Sequence, residues 1–180
     1  AEEMMVKSMI WPGPYYFSTT AVQLWDVSDR EEPEMERELE FEGSYMASRK
    51  MGDDVYFVIN SYPRWDVLEA GTEEGAVPLY RDDSEEEEFK PTCGCGEVAY
   101  FDRDAVTSFV TLASVSMTDP DAEVEKETVA GSAQEVYASQ DNFYITEYRY
   151  VYWGLPMADG ISEDGPSEET VVHKFGMDDG

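Results

Sequence analysis

Hydrophobic and polar positions alternate with a period near two through much of the chain, and the alternation stops wherever turn-forming residues gather. From Thr20 to Ser61 the run TAVQLWDVSDREEPEMERELEFEGSYMASRKMGDDVYFVINS reads as four short strands. Val22, Leu24 and Val27 lie in a β-branched and aromatic stretch that ends at Ser28-Asp29 and Pro33. In the next strand Met35, Leu39 and Phe41 share one face, and Glu36, Glu38, Glu40 and Glu42 share the other. One wet, acidic face predicts the outside of a sheet, where charge discourages pairing with stray strands. Gly43 ends that strand. Ser44 to Met51 and Val55 to Ile59 follow as a hairpin through Gly52-Asp53-Asp54. Val55-Tyr56-Phe57-Val58-Ile59 is apolar at every position, which predicts a strand covered on both faces.

The pattern returns 88 residues later: Leu24 meets Leu112, Val27 meets Val115, Gly43-Ser44 meets Gly131-Ser132, Asp53 meets Asp141, and Tyr56 meets Tyr144. A third start appears at Thr170 to Phe175. Four-stranded units that recur in this way predict β-propeller blades. The period exceeds the roughly 40 to 50 residues of one blade, so the excess is assigned to an insertion, Tyr62 to Ala105, that reads mostly as loop. Residues 20 to 42 are then the two outer strands of one blade. Residues 44 to 60 with 109 to 130 make a complete blade, with the insertion between its second and third strands. Residues 132 to 175 begin a third. The expectation is a single all-β domain over residues 1 to 180, holding about two blades of a larger propeller and little helix.

Val22 to Val27 resembles the strand that carries the Trp-Asp pair of WD-repeat propellers, though the Gly-His half of that signature is missing. A closer resemblance is to archaeal and bacterial secreted proteins with a C-terminal β-propeller domain, a family of unknown function. It rests on Ser18 to Val22, Trp25 to Asp29, Glu42 to Arg49, Val55 to Val58, Val136 to Ser139 and Lys174-Phe175. The resemblance implies a propeller fold and an extracellular or cell-surface location, and it implies no activity.

Charge narrows the range of partners. The chain carries 12 basic and 41 acidic residues, a net charge of −29. A phosphate backbone or an anionic bilayer surface would be repelled, which excludes nucleic-acid and anionic-membrane binding. An acidic, lysine-poor surface suits high salt, where screening removes the self-repulsion; an ordinary acidic secreted protein is the alternative. No apolar run of about 20 residues is present to span a bilayer, and no charged and apolar leader precedes Ala1.

Few residues offer chemistry. Cys93-Gly94-Cys95 sits in a glycine-bracketed turn. Two thiols are too few for structural zinc. A disulfide requires Cα atoms within about 6.8 Å, and in an oxidising compartment a loop staple precedes two free thiols or a redox dithiol. The acidic run Asp82-Asp83-Ser84-Glu85-Glu86-Glu87-Glu88 is either solvated or a calcium site using Asp82, Asp83 and Glu85, since hard cations favour clustered carboxylates. No calcium-loop spacing occurs, and Asp159 to Gly165 does not supply one. No other cofactor is expected. Tyr148, Tyr150 and Tyr152 share a face, with Trp153 beside them; they form either a sugar or peptide platform or the packing between blades. Tyr15-Tyr16-Phe17 is likewise a loop at the propeller mouth or core. His173, the sole histidine, sits in a strand-like run and has no G-x-S-x-G serine to work with.

Two functions remain open. One is a non-catalytic interaction or scaffold module whose partner is a protein or a glycan. The other is an enzyme domain, carbohydrate-active through a carboxylate pair or redox-active through Cys93 and Cys95. Partial blades also leave sheet edges open, which predicts self-association or pairing of Ala21 to Val27 with Thr170 to Phe175.

Overall fold

The structure is a computed structural model that describes residues 18–64, 76–100, 108–139, 142–151 and 167–176, with backbone alone at 86–87, 149–151 and 167. The strands are β1 Thr19–Asp26, β2 Glu34–Glu42, β3 Ser44–Met51, β4 Asp54–Ser61, β5 Leu79–Asp82, β6 Glu86–Pro91, β7 Phe109–Ser116, β8 Glu125–Ala130, β9 Glu135–Ala138, β10 Asn142–Val151 and β11 Ser167–Gly176. They form three sheets, ordered β1-β2-β5-β6, β3-β4-β7-β8 and β11-β10-β9, with every strand pair antiparallel. Among the described residues there is no α-helix, only a 3-10 turn at Cys95–Glu97.

The middle sheet is the complete blade expected from the pattern. Phe57 on β4 lies between Ser48 of β3 and Ala113 of β7, and β7 pairs onward to β8. The repeat extends to the strand register. The pairing of Ser48 with Phe57 in the β3-β4 hairpin recurs as Val136 with Ile145 between β9 and β10, each residue advanced by 88. At the crossings between sheets, Thr20 Oγ1 donates to the Gly43 carbonyl at 3.0 Å, and its counterpart Ser108 Oγ donates to Gly131 at 2.8 Å.

Gly43 joins β2 to β3 with φ of 121°, where a Cβ would sit 2.5 Å from the Asn60 carbonyl oxygen. Only glycine combines that backbone angle with that close approach.

The insertion differs from the loop that its composition suggests. Its described part folds into the β5-β6 hairpin, which extends the first sheet beyond β2. The β2 strand is therefore an inner strand, flanked by β1 and β5, and the outer place falls to β6. Glu86-Glu87-Glu88 opens that edge strand and Pro91 ends it, so the acidic run that reads as a solvated loop guards a sheet edge instead.

Two further positions depart from the alternation. Glu42, on the wet side of the pattern, is buried because Leu79 of β5 donates its N–H to the carboxylate at 2.9 Å. Arg37, in phase with Leu39 and Phe41, is buried on the apolar side at 2% exposure, while Met35 beyond it is exposed.

Two clusters hold the sheets face to face. Leu39, Phe41 and Tyr80 of the first sheet pack against Phe57, Ile59, Ala113 and Val115 of the middle one. Val58, Val110 and Leu112 pack against Phe143 and Ile145 of the last. Successive residues of β4 thus face opposite neighbours, which is why it has no polar side. Each such buried side chain contributes about 1.5–3 kcal/mol of transfer free energy. Among the described residues β1 pairs with β2 alone and β11 with β10 alone, so the expected pairing of β1 with β11 is not formed.

Candidate functional site

An open groove of about 820 Å³ lies where β3 of the middle sheet meets β9 of the last. Both are terminal strands of their sheets. Arg49, Lys50, Met51 and Gly52 line one side, and Tyr137, Ala138 and Ser139 line the other. The two walls are repeat counterparts: Arg49 and Tyr137 stand 88 residues apart. Each also faces a tyrosine across its hairpin, Arg49 opposite Tyr56 and Tyr137 opposite Tyr144.

Arg49 Nη1 donates to the Ser48 carbonyl at 2.7 Å and Lys50 Nζ to the Gly52 carbonyl at 2.5 Å. Among the described residues neither has a carboxylate partner, whereas Arg37, Arg64, Arg81 and Lys90 all do. Tyr137 is 66% exposed, and its ring centroid lies 6.0 Å from that of Tyr144 at a tilt of 40°. The opposite wall ends at Ser139, whose hydroxyl accepts the Asn142 N–H at 3.0 Å. Arg49 and Lys50 follow one another on β3 and therefore project to opposite faces of the strand. None of these residues carries a sequence motif, and the available signal is the repeat offset, which superposes Arg49-Lys50-Met51 on Tyr137-Ala138-Ser139.

The residues singled out by sequence fall elsewhere. Cys93 and Cys95 are both thiols, Cys93 half-buried and Cys95 exposed, at the 3-10 turn that Gly94 opens by donating its N–H to Glu97 Oε2 at 2.7 Å. Tyr148 is 42% exposed on β10. Tyr150 is described by its backbone, opposite Glu168, while Tyr152, Trp153 and the aromatic run Tyr15-Tyr16-Phe17 lie outside the described residues, as does Asp141 of the repeat.

The carboxylates considered for calcium have separate duties. Asp82 faces Arg37, with Nη2 to Oδ2 at 2.5 Å and Nε to Oδ1 at 3.1 Å. Asp83 accepts the Glu38 N–H at 2.9 Å, and Glu85 pairs with Lys90. Among the described residues no group of three potential ligands is gathered for a metal ion.

Buried polar groups hold sheets together. Arg37 also donates from Nη1 to the carbonyls of Pro120 at 2.6 Å and Ala122 at 2.7 Å, so it links the first sheet to the β7-β8 loop. Burial raises the Asp82 carboxyl, but hydrogen bonds from Arg37 and Ser84 outweigh it and hold the group below the usual range. Glu42 goes the other way: burial lifts it above its ordinary value, opposed by the Leu79 N–H and Arg64. His173 is buried on β11 with Nε2 3.0 Å from Glu147 Oε2 on β10.

A family model for a beta propeller domain matches residues 2–180. The chain therefore belongs to a β-propeller family, in agreement with its antiparallel blades. No curated protein and no solved structure matches it.

Proposed function

We propose that this chain is a non-catalytic interaction module of an exported or cell-surface β-propeller protein, and that it presents the groove between β3 and β9 to a ligand. The observation that carries the reading is the open groove itself, at a junction between blades, with Arg49 exposed and without a carboxylate partner among the described residues on one wall and Tyr137 on the other. The buried acids support it as well. Asp82, Glu42 and Glu147 are each tied to a partner on another strand, and a carboxylate held in that way serves packing more readily than proton transfer. The acidic surface suits an exported protein in salt, and β1 and β11, each paired on one side alone among the described residues, are where further strands would add.

A combined glycan and peptide array, run beside a panel of hydrolase substrates, tests the reading. Binding without turnover is expected. Turnover lost on replacing a single Asp or Glu would overturn it in favour of an enzyme.

A further inference from the structure

We propose that the outer face of the last sheet binds a second copy of this chain. The two copies meet face to face about a twofold axis that runs across the strands, and Lys174 of each meets Glu168 of the other. This surface stands apart from the groove, which neither Tyr148 nor Val172 lines.

The strand register defines the face. Phe143 and Ile145 of β10 and Phe175 of β11 pack on the middle sheet, so the alternate residues point outward. Those are Tyr144, Thr146 and Tyr148 on β10, with Lys174, Val172 and Thr170 opposite them on β11 and Tyr137 opposite Tyr144 on β9. Tyr137 is 66% exposed, Val172 58% and Tyr148 42%. Tyr144 and Thr146 lie 88 residues after Tyr56 and Val58, by which the middle sheet packs on the last. The outer face therefore repeats a surface that already binds a sheet within the molecule.

Charge selects the occupant. Each chain carries a net charge of −29, so two copies repel wherever acids face each other. The outward face of the first sheet holds Glu38 and Glu40, and its Arg81 is already bound to both. On the last sheet the centre of the outward face is tyrosine, threonine and valine. Among the described residues its acids are Glu135, on β9 opposite Thr146, and Glu168, beyond Thr170 on β11.

Self-complementarity fixes the arrangement. Lys174 and Glu168 lie toward opposite ends of β11, on the same face, and both are exposed. A twofold axis along the strands would set Lys174 against its own copy. An axis across them, passing between Thr170 and Val172, reverses the strands and sets Lys174 against Glu168. Val172 then lies over Thr170 of the second copy, beside Tyr148. Sheets packed in this way stand about 10 Å apart, and side chains from both copies fill the gap. The contact uses one patch twice, so it closes at two copies.

Sedimentation equilibrium of the full chain across a potassium chloride series tests the proposal. A monomer–dimer equilibrium is expected, at least about tenfold tighter at about 2 M salt than at about 0.1 M. Screening relieves the repulsion between the net charges more than it weakens two exposed ion pairs. V172E and Y148E should each weaken the dimer at least about tenfold. K174E should weaken it too, and E168K/K174E should restore it. E123K/K174E has the same net charge as that double variant but is altered in the β7-β8 loop, and it should not restore the dimer. An unchanged melting temperature at low salt confirms that the variants fold, and T146E takes the place of Y148E if that variant does not. A monomer at every salt concentration, or assembly beyond two copies, would overturn the proposal. So would a dimer lost in V172E but kept in Y148E, because that contact would run along the edge of β11. A K174E dimer as tight as the parent, or no recovery in E168K/K174E, would overturn it as well.

Discussion

Between the first and middle sheets, Phe41, stacked on its own sheet's Tyr80 at 5.8 Å, meets Phe57 edge-on at 5.1 Å, and the Arg37 guanidinium closes the rim with four hydrogen bonds. Between the middle and last sheets, Tyr56 approaches Phe143 at 6.5 Å, and the contact opens at one edge into the groove. The repeat makes the comparison residue for residue. Ile59 is fully buried in the first contact, and its counterpart 88 residues on is Glu147, a buried acid that faces His173. One junction thus turns polar pairing into a clamp on apolar surface. The other has a buried polar pair, Glu147 with His173, where its counterpart has apolar surface, and it opens into the groove at one edge. A propeller built from repeats can assign structure and recognition to different junctions in this way, without changing the strand register.

The largest expected effect comes from unclamping the closed junction. Arg37→Met leaves Asp82 buried without its partner and strands the Pro120 and Ala122 carbonyls. Loss of one member of a buried pair costs about 3–5 kcal/mol, to be read from urea unfolding. The double variant R37M/D82L should recover most of that loss, because two apolar groups replace two charges. A loss below about 1 kcal/mol for the single variant would mean that the clamp is ornamental.

Next comes a pair of equivalent glycines. Gly43→Ala forces a Cβ to 2.5 Å from the Asn60 oxygen at φ of 121°, and the backbone strain alone is worth about 1–3 kcal/mol. At Gly131 the φ is not positive, and the added Cβ meets only the Glu147 carboxylate, at 3.2 Å. Gly131→Ala should therefore cost less than about 1 kcal/mol. Equal losses in a thermal melt would remove the asymmetry claimed for the two crossings.

Much of this comparison is legible in the order of residues alone. The unbroken apolar run of Val55 to Ile59 announces a strand between two sheets, and the offset of 88 places the complete blade with its insertion in the correct gap. Period-two patterns carry such information because strand faces alternate strictly. The β5-β6 hairpin leaves no such pattern, because its strands are short and rich in acid and their pairing comes from the neighbour β2, not from their own propensity. Arg37 is in phase with Leu39 and Phe41, a signal of burial that its charge masks. The groove depends on which strands lie side by side, and only its repeat offset is present in the sequence.

The smallest effect concerns the sign of a pH dependence within the closed junction. Burial raises the Glu42 carboxyl, with the Leu79 N–H and Arg64 opposing it. The folded chain then holds that proton to higher pH than the unfolded chain does, so this group costs stability as pH climbs from about 4 through its folded value. Asp82 is lowered, its burial outweighed by the hydrogen bonds from Arg37 and Ser84. Its contribution is present above the ordinary carboxylate range and is lost as pH falls through the folded value. Two acids of one sheet therefore slope in opposite directions. Glu42→Gln keeps an acceptor for the Leu79 N–H and removes the charge, so its stability relative to the parent chain should rise with pH above about 4 and level off once Glu42 is ionised in the fold. Urea unfolding at a series of pH values reads this difference without the screening that an ionic denaturant adds. A difference that falls with pH would show that Arg64 and the Leu79 N–H outweigh burial at Glu42. The closed junction would then hold two stabilised carboxylates instead of one stabilised and one strained.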